Sequence, residues 1–358
     1  NYMDQIRLSN RSFEGNNNVY LFDDGPETVL VDSGDWMPET REQLEAALES
    51  RRTSFEEIDR IFLTHWHDDH IRGFGELVRV CQESTVVISA ALECDEFFVL
   101  AESEGQGMIS GPSGVRELAY VLRQAAESGQ ALELARADQR LVHRSAATRV
   151  PAAQVWALSP SSATLIDAVR EFVALVPGVG QPKRAVPRPK RNPHCVVLWI
   201  EAGDVRALLG ADLERETAPS RGWTAIVDSA ARPQGTCHFV KIPHHGSRDA
   251  HDERMWSELL VPSPHAGVTP FRQGRVSLPR HTDAARIAAL TDHVWVTRDS
   301  ADSRPPTRPR AVERTIAEMG GSLRMTSVEP GRVTFRCHVN SPGDWSVDAP
   351  PPAHRLKA

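Results

Sequence analysis

No stretch of this sequence approaches the roughly 20 consecutive apolar residues needed to cross a bilayer as a helix, so a helical membrane protein is excluded. The first residues also lack the basic, apolar and small-residue pattern of a secretory leader. The chain opens at Asn1 rather than Met, which leaves room for an upstream segment already removed. Cysteine is scarce: Cys81, Cys94, Cys195, Cys237 and Cys337 are odd in number, widely scattered and never in a C-x-x-C pair. That usage excludes a disulfide framework, fits a reducing compartment and gives the expectation of a cytoplasmic protein. There is no surplus of positive charge either. A formal net charge of -7 excludes a protein coated in cations for non-specific nucleic-acid binding, so any polyanion contact must be local. No fixed-period repeat is present. What remains is an ordinary globular balance of 40% hydrophobic and 25% charged residues over 358 positions, enough for one large α/β domain with its own core.

Hydrophobic patterning gives the organisation. Asn18–Phe22 and Thr28–Asp32 are β-rich runs joined by Asp23-Asp24-Gly25-Pro26, a hairpin signal. Helical spacing over 38–50 is followed by a short apolar strand over 58–63, and apolar residues recur at helical intervals from His70 to Val80. After a strand over 86–89, the stretch from about 91 to 150 reads as a mostly helical insertion, broken at Gly105-Gln106-Gly107 and Gly111-Pro112. A strand over 154–158, a helix over 163–175 and a Pro/Gly/Lys/Arg loop over 177–193 come next, then a hairpin formed by 195–200 and 205–209. Strands and helices alternate from Phe239 to Val296, a helix follows over 311–319, and a strand pair over 323–339 closes the main domain at about residue 340. The Pro-rich stretch 341–358 reads as a flexible tail. Hairpins first and alternating units later point to two mixed sheets covered by outer helices, not a doubly wound parallel sheet.

The chemistry concentrates in three motifs. His65-Trp66-His67-Asp68-Asp69-His70 lies between a strand and a helix and combines imidazole with carboxylate donors, which suit zinc and neighbouring divalent metals such as manganese. Residues two apart in an extended turn point the same way, so His65 and His67 can hold one ion while Asp69 and His70 face a second. Three His and one Asp in set places arise by chance on the order of once in a thousand chains of this composition. The bland reading is surface histidines beside an acidic helix start. Leu208-Leu209-Gly210-Ala211-Asp212 is an apolar strand delivering one carboxylate, and a carboxylate can bridge two ions where a single imidazole cannot. Lys241-Ile242-Pro243-His244-His245-Gly246-Ser247 also ends a strand. Its adjacent histidines project differently, so one binds metal while the other binds substrate or supports the ligand shell. Gly246 leaves room beside His245, which favours His245 as ligand with His244 its close competitor; the histidine that does not ligate, His244 on this reading, is a catalytic candidate, and Ser247 lies towards the substrate. A third imidazole for the first ion is His194, just before the strand that pairs with the one leading to Asp212, and Asn192 is its competitor. Asp69 and Asp68 are further catalytic candidates, Asp68 as an orienting or proton-relaying group or simply as a helix cap.

With these residues assembled, the sequence resembles the metallo-β-lactamase superfamily, whose signature H-x-H-x-D-H is matched by His65 to His70. The His244-His245-Gly246-Ser247 run is similar to the H-H-G-S of the subgroup containing the metallohydrolase domain of the ComEC competence proteins. The resemblance implies an αββα sandwich with its metals at one edge and a leaning toward phosphodiester or nucleic-acid hydrolysis. Members of that subgroup carry Asp where His67 stands and Asn near His194.

Two cations can bring the pKa of a shared water from 15.7 to about 7, which gives a metal-bridged hydroxide without a Ser or Cys nucleophile. Lys183, Arg184, Arg188, Lys190 and Arg191 form an acid-free loop running into His194, suited to phosphate. The leading expectation is therefore a dinuclear phosphodiesterase or nuclease. The alternatives are hydrolysis of a lactone, thioester or β-lactam, and a non-catalytic module in which metal only holds the fold and the helical insertion meets a protein partner.

Overall fold

The computed structural model describes residues 2–9, 16–23, 28–33, 38–50, 52–92, 109–110, 113–147, 151–175, 184–185, 192–273, 276–298, 312, 314–315 and 331–357. In chain order its main elements are strands β1 (Tyr2–Ser9), β2 (Asn16–Asp23) and β3 (Thr28–Val31), helix α1 (Pro38–Glu49), strand β4 (Arg60–Phe62), helices α2 (Asp68–Ile71) and α3 (Phe74–Val80), and strand β5 (Thr85–Ser89). Then come β6 (Ile109–Ser110), α4 (Ser113–Ser128), β7 (Leu132–Ala135), β8 (Gln139–Arg144), β9 (Ala153–Ala157), α5 (Ser162–Leu175), β10 (Arg184–Ala185), β11 (Leu198–Ala202) and β12 (Val205–Leu209). The rest are α6 (Gly222–Asp228), β13 (Cys237–Lys241), α7 (Glu253–Glu258), β14 (Leu260–Val268), β15 (Phe271–Gln273), β16 (Val276–Leu278), α8 (His281–Ala288), β17 (Val294–Val296), β18 (Val333–Cys337), β19 (Trp345–Asp348) and β20 (His354–Arg355).

Two eight-stranded sheets carry the molecule, in the orders β19-β18-β1-β2-β3-β4-β5-β7 and β20-β17-β14-β13-β12-β11-β9-β8. Successive side chains of a strand point to opposite faces, and the strands here are apolar on both. Val29 and Val31 of β3, Val87 of β5, Leu198 and Ile200 of β11 and Phe239 of β13 share one core between the sheets. Their neighbours turn the other way. Leu30, Val86 and Ile88 pack outward with Leu44, Phe74, Leu118 and Phe172 of the covering helices. Trp199, Leu208 and Val240 pack outward with Trp223, Met255 and Ile287 on the far side. Three apolar layers between four layers of structure make the αββα sandwich expected from the sequence.

Several stretches differ from the sequence reading. The segment 91–150 holds a helix, α4, but also β7, which pairs with β5 in the first sheet, and β8, which pairs with β9 in the second. Leu132-Glu133-Leu134-Ala135 is too short for its period to separate strand from helix, and a vacant parallel partner in β5 decided the outcome. The stretch after Ser341 is not a loose tail. Trp345 and Val347 pack against the inter-sheet core as β19 pairs with β18, and β20 pairs with β17. Alternating apolar residues between the prolines supplied that pairing. The helix expected over 311–319 and the strand residues 323–330 lie almost wholly outside the described residues. No helix of the described residues is long and apolar enough to cross a membrane.

Candidate metal centre

Strands β3 and β4 run parallel, as do β12, β13 and β14, so their carboxyl ends share one edge of the sandwich. The chain leaves them at Asp32, His65, Asp212, His245 and Thr269. Val196 donates its backbone N–H to the Thr64 carbonyl at 2.8 Å and ties the two sheets together at this edge.

Alternation sets the first motif. Trp66 is fully buried in the outer apolar core, so the flanking His65 and His67 turn to the edge, their ring centroids 5.0 Å apart. The break before α3 falls at Gly73, which takes φ +82°, and splits the expected single helix into α2 and α3. His70 on α2 returns toward His65, with ring centroids 4.0 Å apart. Asp212 follows Ala211, a left-handed residue at φ +44°. His244 and His245 are left-handed too, at φ +45° and +53°. Such conformations cost on the order of 1 kcal/mol each and concentrate where a site dictates the backbone. Gly246 serves the backbone rather than making room for a metal: its φ of +80° is left-handed, where a side chain is strained, and a Cβ there would also crowd Ile287 Cδ1 of α8 at 2.8 Å.

The Asp212 carboxylate is the hub. Its Oδ2 lies 3.6 Å from His65 Nε2 and 3.5 Å from His245 Nε2, and its Oδ1 lies 4.0 Å from His70 Nε2. Two ligands about 2.1 Å from one tetrahedral ion are about 3.4 Å apart, so these spacings match a metal cradle. The donor atoms form two groups, His65–His67–Asp212 and His70–Asp212–His245, each within 4.8 Å and joined by Asp212. Asp212 Oδ1 is buried with no hydrogen-bond donor on it, which an absent cation would explain. Burial alone would raise the Asp212 carboxyl. The charge and hydrogen bonding of His245, then Lys241 and His65, outweigh it and hold the group well below the usual carboxylate range.

Further side chains fix the tautomers. His70 Nδ1 donates to Asp32 Oδ2 at 2.7 Å, and His245 Nδ1 donates to the Thr269 carbonyl at 3.0 Å. His65 Nδ1 lies 3.2 Å from Thr64 Oγ1, which itself donates to Asp32. In each ring the Nε2 is left to ligate. Asp32 thus orients two imidazoles, one directly and one through Thr64. Sequence reasoning took Asp32 only as the end of a strand; the available signal was a carboxylate closing an otherwise apolar run, directly before Ser33-Gly34 in the sequence.

The remaining predicted residues divide. His245, not His244, joins a ligand group. His244 Nδ1 stands 3.2 Å from Glu214 Oε1, and Asn192 Nδ2 lies 2.6 Å from that oxygen and 3.4 Å from His244 Nε2. His194 belongs to neither group. It lies against Trp66 and Phe172, at centroid distances of 6.4 and 5.8 Å, and burial pushes its pKa down to about 4. The turn at Asn192–His194 puts Asn192 at the site and His194 into the apolar layer behind it. Ser247 Oγ is 3.4 Å from the backbone N–H of Asp249 and caps the next turn. The side chains of Asp68 and Asp69, and that of Arg184, lie outside the described residues, as do Lys183, Arg188, Lys190 and Arg191 altogether.

Residues 13–254 match the family model described as the Metallo-beta-lactamase superfamily. Atrochrysone carboxyl ACP thioesterase of Emericella nidulans is 33% identical over 75 residues, 21% of this chain and 24% of that protein. Beta-lactamase-like protein 2 homolog of Drosophila melanogaster is 39% identical over 62 residues, 17% of this chain and 20% of its own length. The matched stretch therefore spans about a quarter or less of these curated relatives. Among solved structures, a metallo-beta-lactamase family protein from Thermus thermophilus has a TM-score of 0.36 at 16% identity, covering 60% of each chain.

Proposed function

The chain belongs to the metallo-beta-lactamase superfamily, and from that premise we propose that it is a hydrolase working through two divalent ions, zinc by its donor set, on an acyl compound such as a thioester or lactone. One observation carries the two-ion reading: a single buried carboxylate, Asp212, is shared by two three-residue groups of metal donors. Ions held there would acidify water and polarise the oxygen of the scissile group.

The chain's own residues do the rest. Asp32, Thr64 and the Thr269 carbonyl keep the imidazoles in the tautomer that ligates. His67 completes the first group, and Asp69, adjoining His70 in the sequence, is the further ligand proposed for the second. His244 sits beside the cradle with a half-exposed ring braced by Glu214 and Asn192, placed to bind or orient substrate. Asp68 and Ser247 remain candidates for the substrate side.

The acyl reading draws on the thioesterase name of one relative. A carboxylate at His244 agrees with it, because Glu214 would oppose a phosphodiester approaching the same ring. The second reading, a phosphodiesterase or nuclease near the ComEC-like subgroup, draws on the His244-His245-Gly246-Ser247 run and on chain continuity: Arg191 directly precedes Asn192, which touches the site. Purified protein should be analysed for metal and assayed on an acyl thioester, a lactone, a chromogenic lactam, bis-p-nitrophenyl phosphate, single-stranded DNA and RNA. Metal-dependent cleavage of thioester or lactone is the expected result. Turnover of phosphodiesters alone selects the second reading, and a protein that takes up no metal defeats both.

A further inference from the structure

Lys241 occupies a position where strand geometry calls for an apolar residue. On β13, Phe239 faces the inter-sheet core and Val240 the outer one, so Lys241 returns to the inner side at the strand end. Lysine is almost never fully buried unless paired, yet Lys241 is 1% exposed. Its ammonium donates to the Ala211 carbonyl at 2.9 Å and stands 3.6 Å from Asp212 Oδ1. The two oxygens of Asp212 are thus differentiated: Oδ2 lies nearest His65 and His245, while Oδ1 faces the ammonium and, at 4.0 Å, His70 Nε2.

We propose that Lys241 is a positioning residue, the built-in counter-ion of the bridging carboxylate, which holds Asp212 in place when the cradle has no metal and loosens the cradle's grip on metal when it is loaded. The inference rests on the two-ion reading above. A buried carboxylate without a partner is strongly unfavourable, and the ammonium removes that cost in the metal-free protein. Once dications arrive, the same fixed positive charge repels them and competes for Oδ1, so the protein exchanges some affinity for an empty site that stays assembled. An uncharged side chain of similar length should reverse both effects together, which simple packing would not do.

The test uses the full chain, stripped with a chelator and reloaded with zinc. Zinc affinity is read by competition with a chromogenic chelator, and thermal midpoints are taken with and without metal. Lys241→Met should bind zinc at least about tenfold tighter than native protein, with a lower midpoint when stripped and a wider gap between stripped and loaded forms. Lys241→Arg should keep the native affinity. A Met variant that folds only with zinc also supports the proposal. If Lys241→Met does not fold, Lys241→Gln, which can still donate to the Ala211 carbonyl, takes its place. The proposal is overturned if the neutral variants bind zinc as native or more weakly, if they lose equal stability in both forms, or if none folds even with zinc. Native protein that takes up no zinc overturns the two-ion reading and this inference with it, whereas native uptake with unchanged variant affinity overturns this inference alone.

Discussion

Replacing Asp32 with Asn should damage the metal centre although Asp32 belongs to neither ligand group. The substitution keeps the volume and removes the charge. Asp32 is 1% exposed and accepts from the Thr64 backbone N–H at 2.8 Å, from Thr64 Oγ1 at 2.8 and 2.9 Å, and from His70 Nδ1 at 2.7 Å. An amide must turn its own NH2 toward one of these donors, so at least one charge-assisted hydrogen bond is lost, about 1.5–3 kcal/mol. Both His70 and, through Thr64, His65 would lose the constraint that keeps Nε2 as the ligating atom. Loss of such orienting partners lowers metal affinity by about 10- to 100-fold, or about 1.4–2.8 kcal/mol, which agrees with the hydrogen-bond figure obtained independently. Chelator competition with zinc gives the affinity, and thermal unfolding of the metal-free form separates the local loss from the structural one. An Asp32→Asn protein with native zinc affinity would refute the orienting role.

Three further predictions follow from the same geometry. His245→Ala should lose metal, while His244→Ala should keep its metal content and lose turnover; metal analysis beside the substrate panel distinguishes them. His194, with its folded pKa pushed down to about 4 by burial against an ordinary 6.5, stays neutral where the unfolded chain binds a proton. Stability should therefore be complete above pH 6.5 and fall toward pH 4 by about 3 kcal/mol at 1.36 kcal/mol per unit, and His194→Phe should flatten that slope in urea unfolding while retaining metal. Trp345→Ala should cost about 2 kcal/mol or more in chemical denaturation, because Trp345 stacks on His265 and Phe239 across the two sheets; a loose tail would show no loss.

The sandwich and the centre of the site were legible because both follow from local pattern. Short apolar, β-rich runs bounded by turn signals gave most of the strands, and His65, His67, His70, Asp212 and His245 announce themselves through residue type and spacing. What escaped depends on partners distant in sequence. Leu132–Ala135 is a strand because β5 lies beside it, and Trp345–Asp348 because β18 does. His194 sits two residues from Asn192 in one short turn, and the packing of Trp66 and Phe172 decides which of the two enters the apolar layer. Asp32 and Lys241 act through the ligands, so no spacing rule points to them.

Strand β1 pairs with β2 beside it in sequence and, on its other side, with β18, where Met3 faces Phe335. During synthesis every proposed ligand, from His65 to His245, leaves the ribosome before that second partner exists. A nascent chain can thus assemble its ion-holding edge while β1 is still an open strand, the kind of surface on which chains pair with the wrong neighbour.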